Sequence, residues 1–374
     1  MYKHVIILFF ALVLSKPSFS QDEEINVAGF VFMDYQGVLP ESIRSSKTIV
    51  LVNTSDVNPE LPFQKTVEPM VNQAHKVFAD AGIDVVGYYN LKQVLAGTDS
   101  QYGFSEAWKK REIENIIILS KLVFQQKKKE VTRFVLLATT FNGLPSLFSN
   151  NQLAWKTQDK DFDKALSKLA SAANKYEKNN LLVSEQPEYF DDVKMVRGQH
   201  VEGYLTDLDF GKMAVPKFAI VEIPNPKPDG LINNLIAKQV EESNSINVQN
   251  NQVLEEKMKS YDFEYEFVDS DISESELSKM GYSYKLLNLY SAGVDIKRLL
   301  NYKINEDRDT YTTQIFTNGN LTIRSIPANG LVYKYYIKHL KTGNVYLGSK
   351  WDADETWSKA LDHMLYNVKV EMHK

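Results

Sequence analysis

Two related α/β domains with mixed sheets, each of two or three layers and ordered β-α-β-α-β-β-α, are predicted by this sequence behind a signal peptide. Three observations carry that expectation. The chain has 374 residues, more than one typical domain and enough for two hydrophobic cores. Continuous apolar runs such as TIVLV (48–52) and NIIIL (115–119) alternate with segments whose apolar residues recur every three and four positions. The order of elements in the first half also returns in the second.

At the start, Lys3 and His4 precede the apolar run VIILFFALVL, Lys16-Pro17 breaks it, and Ser18-Phe19-Ser20 precedes Gln21. A run of about ten residues is too short to cross a bilayer, which takes roughly 20 in a helix. Small residues at 18 and 20 suit a signal peptidase, so residues 1–20 are expected to be removed after Ser20, leaving Gln21 first. Residues 21–46 are expected to be an extended segment around VAGFVFMDY.

The first domain is expected over 47–190. TIVLV reads as a strand buried on both faces. A helix follows, with Val67, Met70, Val71, Ala74, Val77 and Phe78 on one face, Pro69 in its first turn and Gly82 as a left-handed cap. IDVVGYY is the next strand, and Asn90 caps a helix opening LKQVL. NIIILSKLVF and RFVLLATTF form a hairpin whose tip carries Lys127, Lys128 and Lys129 as a solvated turn. A short strand at QLAW precedes a helix with Phe162, Ala165, Leu166, Leu169, Ala173 and Tyr176 on one face.

A connector is expected at 191–216 and the second domain at 217–374. KFAIVEI is read as a strand, PDGLINNLIAKQVEESN as a helix, SINV as a strand and NNQVLEEKMKSYDF as a helix. Ser273 with Glu276 has the spacing of a capping box. VYKYYIKHLKTGNVYLGS is a hairpin turning at Thr342-Gly343-Asn344, and a last helix carries Trp357, Ala360, Leu361, Met364, Leu365 and Val368. The halves echo each other in I-x-V, Asn and Q-V-L (from Ile83 and from Ile246). They do so again in Lys164-Ala165-Leu166 and Lys359-Ala360-Leu361, and in a Trp near a strand end, Trp155 and Trp351.

KFAIVEI, GLINNLIAKQVEESN, INV, Asn250-Asn251 and QVLEEKM resemble the small α/β domains of bacterial envelope proteins. That group contains the curli-secretion lipoprotein, the penicillin-binding-protein activator lipoprotein and the N-terminal domain of TolB. The resemblance covers residues 217–263 and implies a protein-binding or scaffolding domain of the envelope. Lipid anchoring does not transfer, because the chain has no cysteine.

The absence of cysteine also excludes disulfides, thiolate metal sites and Cys nucleophiles. A formal charge of -5 and pI of about 5.8 give no global attraction for nucleic acid. No G-x-S-x-G, H-E-x-x-H or P-loop occurs, and no two of the six His have ligand spacing beside a carboxylate. No catalytic residue, cofactor or metal is therefore expected. Polar and aromatic residues outside regular elements make Glu185, Glu188, Tyr189, Arg197 and His200 the candidate binding surface. The function expected is that of an exported, non-enzymatic binding or scaffolding protein, periplasmic or secreted, engaging an envelope protein or cell-wall component. No stable membrane insertion is expected after cleavage. The alternatives are a periplasmic glycan- or peptide-acting hydrolase and a small-ligand receptor with an interdomain cleft. Trp155, Trp351 and Trp357 are read as core residues in preference to a ligand platform.

Overall fold

The computed structural model describes residues 33–54, 61, 63–126, 129–149, 151–190, 195, 198–204, 206–220, 231–302, 310–317 and 320–372. Ser20, Gln21, Lys127, Lys128 and Arg197 lie outside them. The chain divides between Met195 and Val196 into two compact units.

In the first unit the elements are β1 (Asp34–Tyr35), β2 (Lys47–Thr54), α1 (Phe63–Asp80), β3 (Asp84–Asn90), α2 (Leu91–Val94), α3 (Thr98–Lys110), β4 (Ile113–Gln126), β5 (Lys129–Thr140), β6 (Leu153–Asp159) and α4 (Phe162–Ala173). They build one sheet in the order β1-β6-β5-β4-β2-β3. The β2, β3 and β4 strands are parallel, β4-β5-β6 run antiparallel, and β1 lies parallel to β6. The continuous apolar runs follow from burial on both faces. Val50, Val52, Ile117, Leu119, Leu136 and Ala138 join the core under α1 and α4. Their neighbours Ile49, Leu51, Ile116, Ile118 and Leu137 are equally buried on the other face. Burying each such side chain is worth about 1.5–3 kcal/mol, so the sheet centre is the anchor of the unit.

Local signals decide the ends of these elements. Gly82 takes φ 77° after α1, and Ile83 N–H donates to the Phe78 carbonyl at 2.9 Å, closing the helix. The Asn90 side chain accepts from Lys92 N–H at 3.0 Å and starts α2. Pro69 departs from expectation: α1 begins at Phe63, so the proline sits inside the helix, not in its first turn. It is exposed there, and the carbonyl its ring leaves without a donor belongs to exposed Lys65, where water can serve it.

The second unit contains β7 (His200–Val201), β8 (Met213–Pro216), α5 (Leu231–Met258), β9 (Tyr265–Val268), α6 (Glu274–Lys279), β10 (Tyr284–Ala292), α7 (Gly293–Leu299), β11 (Thr310–Thr317), β12 (Asn320–Pro327), β13 (Leu331–His339), β14 (Val345–Tyr346) and α8 (Trp357–Met372). Its main sheet runs β7-β14-β13-β10-β8-β9. Strand by strand this is the topology of the first unit. The β8, β9 and β10 strands are parallel, β10-β13-β14 antiparallel, and β7 parallel to β14. The unit differs by an insertion between β10 and β13, made of α7 and the two-stranded hairpin β11-β12. Because β7 and β8 belong to this sheet, most of the stretch 191–216 is part of the second domain.

Two readings of the second half are corrected. KFAIVEI is not the first strand; β8 ends at Pro216, and of KFAIVEI only Lys217–Ile220 is described, outside any strand. SINV is not a strand either, since residues 245–248 lie in the middle of the 28-residue α5. The helix escapes the apolar pattern because its inward stripe is partly polar. Val240, Ser243, Asn247, Leu254 and Met258 are buried at spacings of three, four and seven. Asn251 continues the stripe, accepting from Phe218 N–H at 2.7 Å and donating to Phe218 O at 2.9 Å, as an adjacent strand would. Asn247 donates to Ala219 O at 2.9 Å. Meanwhile Ile246 and Val248, whose alternation suggested a strand, are 49% and 48% exposed. The residues quoted for the envelope-domain resemblance are thus largely one helix, and the I-x-V, Asn, Q-V-L echo joins a strand and short helix to a mid-helix segment. The Lys-Ala-Leu echo does fall on topologically equivalent helices, α4 and α8, with Ala165, Leu166, Ala360 and Leu361 all fully buried.

Candidate functional site

Glu185, Glu188 and Tyr189 lie on a strap that closes the free edge of β3. Tyr88 N–H donates to Glu188 O at 2.8 Å and Phe190 N–H to Tyr88 O at 3.2 Å, a parallel bridge centred on Tyr189. The strap adds a one-residue strand to the sheet. Alternation sends its two aromatic rings to opposite faces. Tyr189 packs on Tyr88 with ring centroids 5.9 Å apart, and burial, aided by the Glu68 charge, pushes its pKa up to about 12. Phe190 stacks on Tyr89 at 5.7 Å beneath the Arg111 guanidinium, 3.8 Å from the ring centroid. Gly87 leaves room for this ring, since a Cβ there would come within 2.8 Å of Phe190.

His75 holds the strap from α1. Its Nε2 lies 3.0 Å from Ser184 O and its Nδ1 3.0 Å from Tyr88 Oη. A carbonyl only accepts, so Nε2 carries the proton and Nδ1 accepts from the Tyr88 hydroxyl, which fixes the neutral tautomer. Burial lowers the His75 pKa below 6.5, opposed by the bond to Ser184. A depressed histidine pKa means that the unfolded chain binds the proton first. The contribution is complete above the unfolded value and is lost as pH falls through the folded one. The melting temperature of the first domain is therefore expected to drop between pH 7 and pH values below 6.5, and His75→Gln to flatten that slope. Thermal melts across the range check it.

The remaining candidates fall elsewhere. His200 is half-buried in β7 of the second unit; burial lowers its pKa, opposed by a hydrogen bond to the Leu300 backbone. Arg197 is outside the described residues. The stretch read as one surface thus divides between the two units. The tryptophans form no common platform: Trp155 is in the core of the first unit, Trp357 packs on Phe218 at 4.9 Å, and Trp351 stands edge-on to Tyr302 and Tyr311. Lys297 Nζ sits 3.9 Å from the Tyr311 ring centroid and 4.7 Å from that of Trp351, so this last aromatic group already holds a cation.

Sequence reasoning missed a fully buried ion pair among the described residues. Lys334 on β13 and Asp352 are both fully buried, with Nζ 2.7 Å from the carboxylate. Lys334 also donates to Tyr335 O at 2.7 Å and Leu347 O at 2.9 Å, and Asn367 donates to Asp352 Oδ2 at 3.0 Å. A signal existed. In VYKYY, Lys334 shares a face with Val332 and Tyr336, an inward position in a half-polar strand. Two carbonyls and one carboxylate oxygen lie within 2.9 Å of the ammonium, so the lysine is a brace between β13 and the segment after β14.

Among the described residues no group of three His, Asp or Glu gathers as a metal site. The fold and these contacts define a protein of two topologically matching α/β units whose buried polar groups brace the structure. No family model, curated protein or solved structure matches the chain.

Proposed function

We propose that the chain is an exported, non-enzymatic binding or scaffolding protein of the bacterial envelope, engaging another envelope protein or a cell-wall component. The observation that carries this reading is the use to which buried ionisable groups are put. His75 fastens a strap, and Lys334 with Asp352 joins two segments of one unit. Large apolar side chains are meanwhile left outside, Leu181 and Leu182 on the strap and Phe210 after β7, at 87%, 92% and 89% exposure. The N-terminal leader pattern and the lack of cysteine support export without a lipid anchor. No described helix is long and apolar enough to cross a membrane.

Export is tested by expressing the tagged chain in a bacterium and weighing the exported product. A mass beginning at Gln21 is expected; an intact Met1 refutes the leader. Binding is tested by placing a photo-crosslinking residue at Leu182 or Phe210 and identifying the envelope component captured in intact cells. Turnover of cell-wall fragments or peptides by the purified chain would overturn the non-enzymatic reading.

A further inference from the structure

The two units treat the same sheet edge differently. In the first, the outer edge of β3 is filled by the strap at 188–190. In the second, the equivalent strand is β9, at the end of its sheet. Met213 N–H donates to Glu264 O and Lys217 N–H to Val268 O, so the backbone groups of alternate residues 264, 266 and 268 face β8. Those of Tyr265 and Phe267 point away from the sheet, and among the described residues no backbone hydrogen bond reaches them. Buried or half-covered strand edges are normally paired, and an open one is a template for an added strand.

We propose that the β9 edge receives an extended segment of a partner protein, in which aromatic or branched apolar residues alternate with Lys or Arg. The first unit supplies the pattern. Tyr88, whose backbone groups bond the strap, turns its ring toward the α1–α4 layer and receives Tyr189 upon it. Tyr265 and Phe267 turn their rings toward the equivalent α5–α8 layer, where Tyr261, Phe263, Tyr265 and Phe267 form a row of edge-on contacts 5.3–5.9 Å apart. An incoming apolar side chain extends that row. Alternation puts Glu264 and Glu266 on the opposite face, both exposed, with Glu266 held by Lys212 at 2.5 Å and the Tyr282 hydroxyl at 2.6 Å. The next side chain of the incoming strand meets this face at exposed Glu264, whose carboxylate selects a cation, since Glu266 is already paired with Lys212. The same charges oppose a second copy of β9, because an antiparallel self-pair sets Glu264 and Glu266 against their own counterparts. This rests on the protein-binding reading above and names the edge and partner chemistry.

The test uses the full chain and two blocked decapeptides, one alternating Lys with Phe and Val, the other Glu with Phe and Val. Hydrogen exchange of the segment 262–268 is followed by mass spectrometry. The Lys peptide is expected to slow exchange there and the Glu peptide to leave it unchanged. Phe267→Pro removes an outward N–H and leaves the bonds to β8 in place; it is expected to weaken binding about fivefold or more, the worth of one hydrogen bond. Glu264→Lys, on an exposed side chain, is expected to weaken the Lys peptide and admit the Glu peptide, with an unchanged melt. Absence of protection with either peptide overturns the proposal, as does protection indifferent to both substitutions. Protection that grows with the concentration of the chain alone assigns the edge to a second copy and overturns it too. Crosslinking at Leu182 or Phe210 without protection at 262–268 would leave the binding function standing and remove this edge from it.

Discussion

Lys334→Met is expected to cost the second domain about 3–5 kcal/mol, the usual penalty for removing one partner of a buried ion pair. The substitution conserves length and apolar stem, so packing changes little. What it removes is the ammonium that serves Asp352, Tyr335 O and Leu347 O at 2.7–2.9 Å. Asp352 is then left in the interior with Asn367 alone, and two carbonyls lose a donor. Against a domain stability of about 5–15 kcal/mol, that loss removes a large share of the margin and moves the unfolding midpoint well down. Replacing both partners, Lys334→Met with Asp352→Leu, is expected to cost less than the sum of the single changes, because the unpaired charge disappears with its partner. Urea unfolding followed by the fluorescence of Trp351, beside Asp352, measures both. A midpoint for Lys334→Met unchanged from the parent would show that water reaches the pair and that it braces nothing.

Elements were legible where one residue type has one local solution. TIVLV could only be a strand covered on both faces, Gly82 only a left-handed cap, and Ser273 with Glu276 forms the full capping box at α6. The turn at Thr342–Asn344 likewise joins β13 to β14, with Gly343 at φ 71°. Reading failed where a polar side chain does the work of an apolar one or of a backbone. Asn247 and Asn251 replace core residues on α5 and bind an extended segment, so the helix showed no clean stripe and its exposed Ile246 and Val248 were taken for a strand. The likeness of the two halves resides in strand order, which hydrophobic pairing fixes and many sequences satisfy. One residue echo therefore dissolves while the topology matches throughout. At the candidate site, Glu188 and Tyr189 stood out as polar and aromatic residues outside regular elements. Their partners Tyr88 and His75 are 100 or more residues earlier in the chain, beyond the reach of local pattern.

Leu166→Asp and Leu361→Asp are expected to unfold one domain each and to spare the other. Both leucines are fully buried at the same place in topologically equivalent helices. Leu166 lies in the core that α1 and α4 share with β2, β4 and β5. Leu361 lies with Met364, Leu365 and Val368 over Tyr335 and Ile337. A carboxylate at either position has no partner within its core; whether it ionises or stays protonated, the unmet polar group costs several kcal/mol on top of the lost leucine. The two cores divide the fluorophores, Trp108 and Trp155 in the first unit, Trp351 and Trp357 in the second. A parent chain carrying Trp→Phe at 351 and 357 therefore reports the first unit alone, and one carrying it at 108 and 155 reports the second. Leu361→Asp should erase the folded signal of the second reporter and leave the first with its parental melt; Leu166→Asp should do the reverse. Loss of both signals from either substitution would show that the two units fold as one cooperative body, since a charge buried in one core can reach the other only through shared stability.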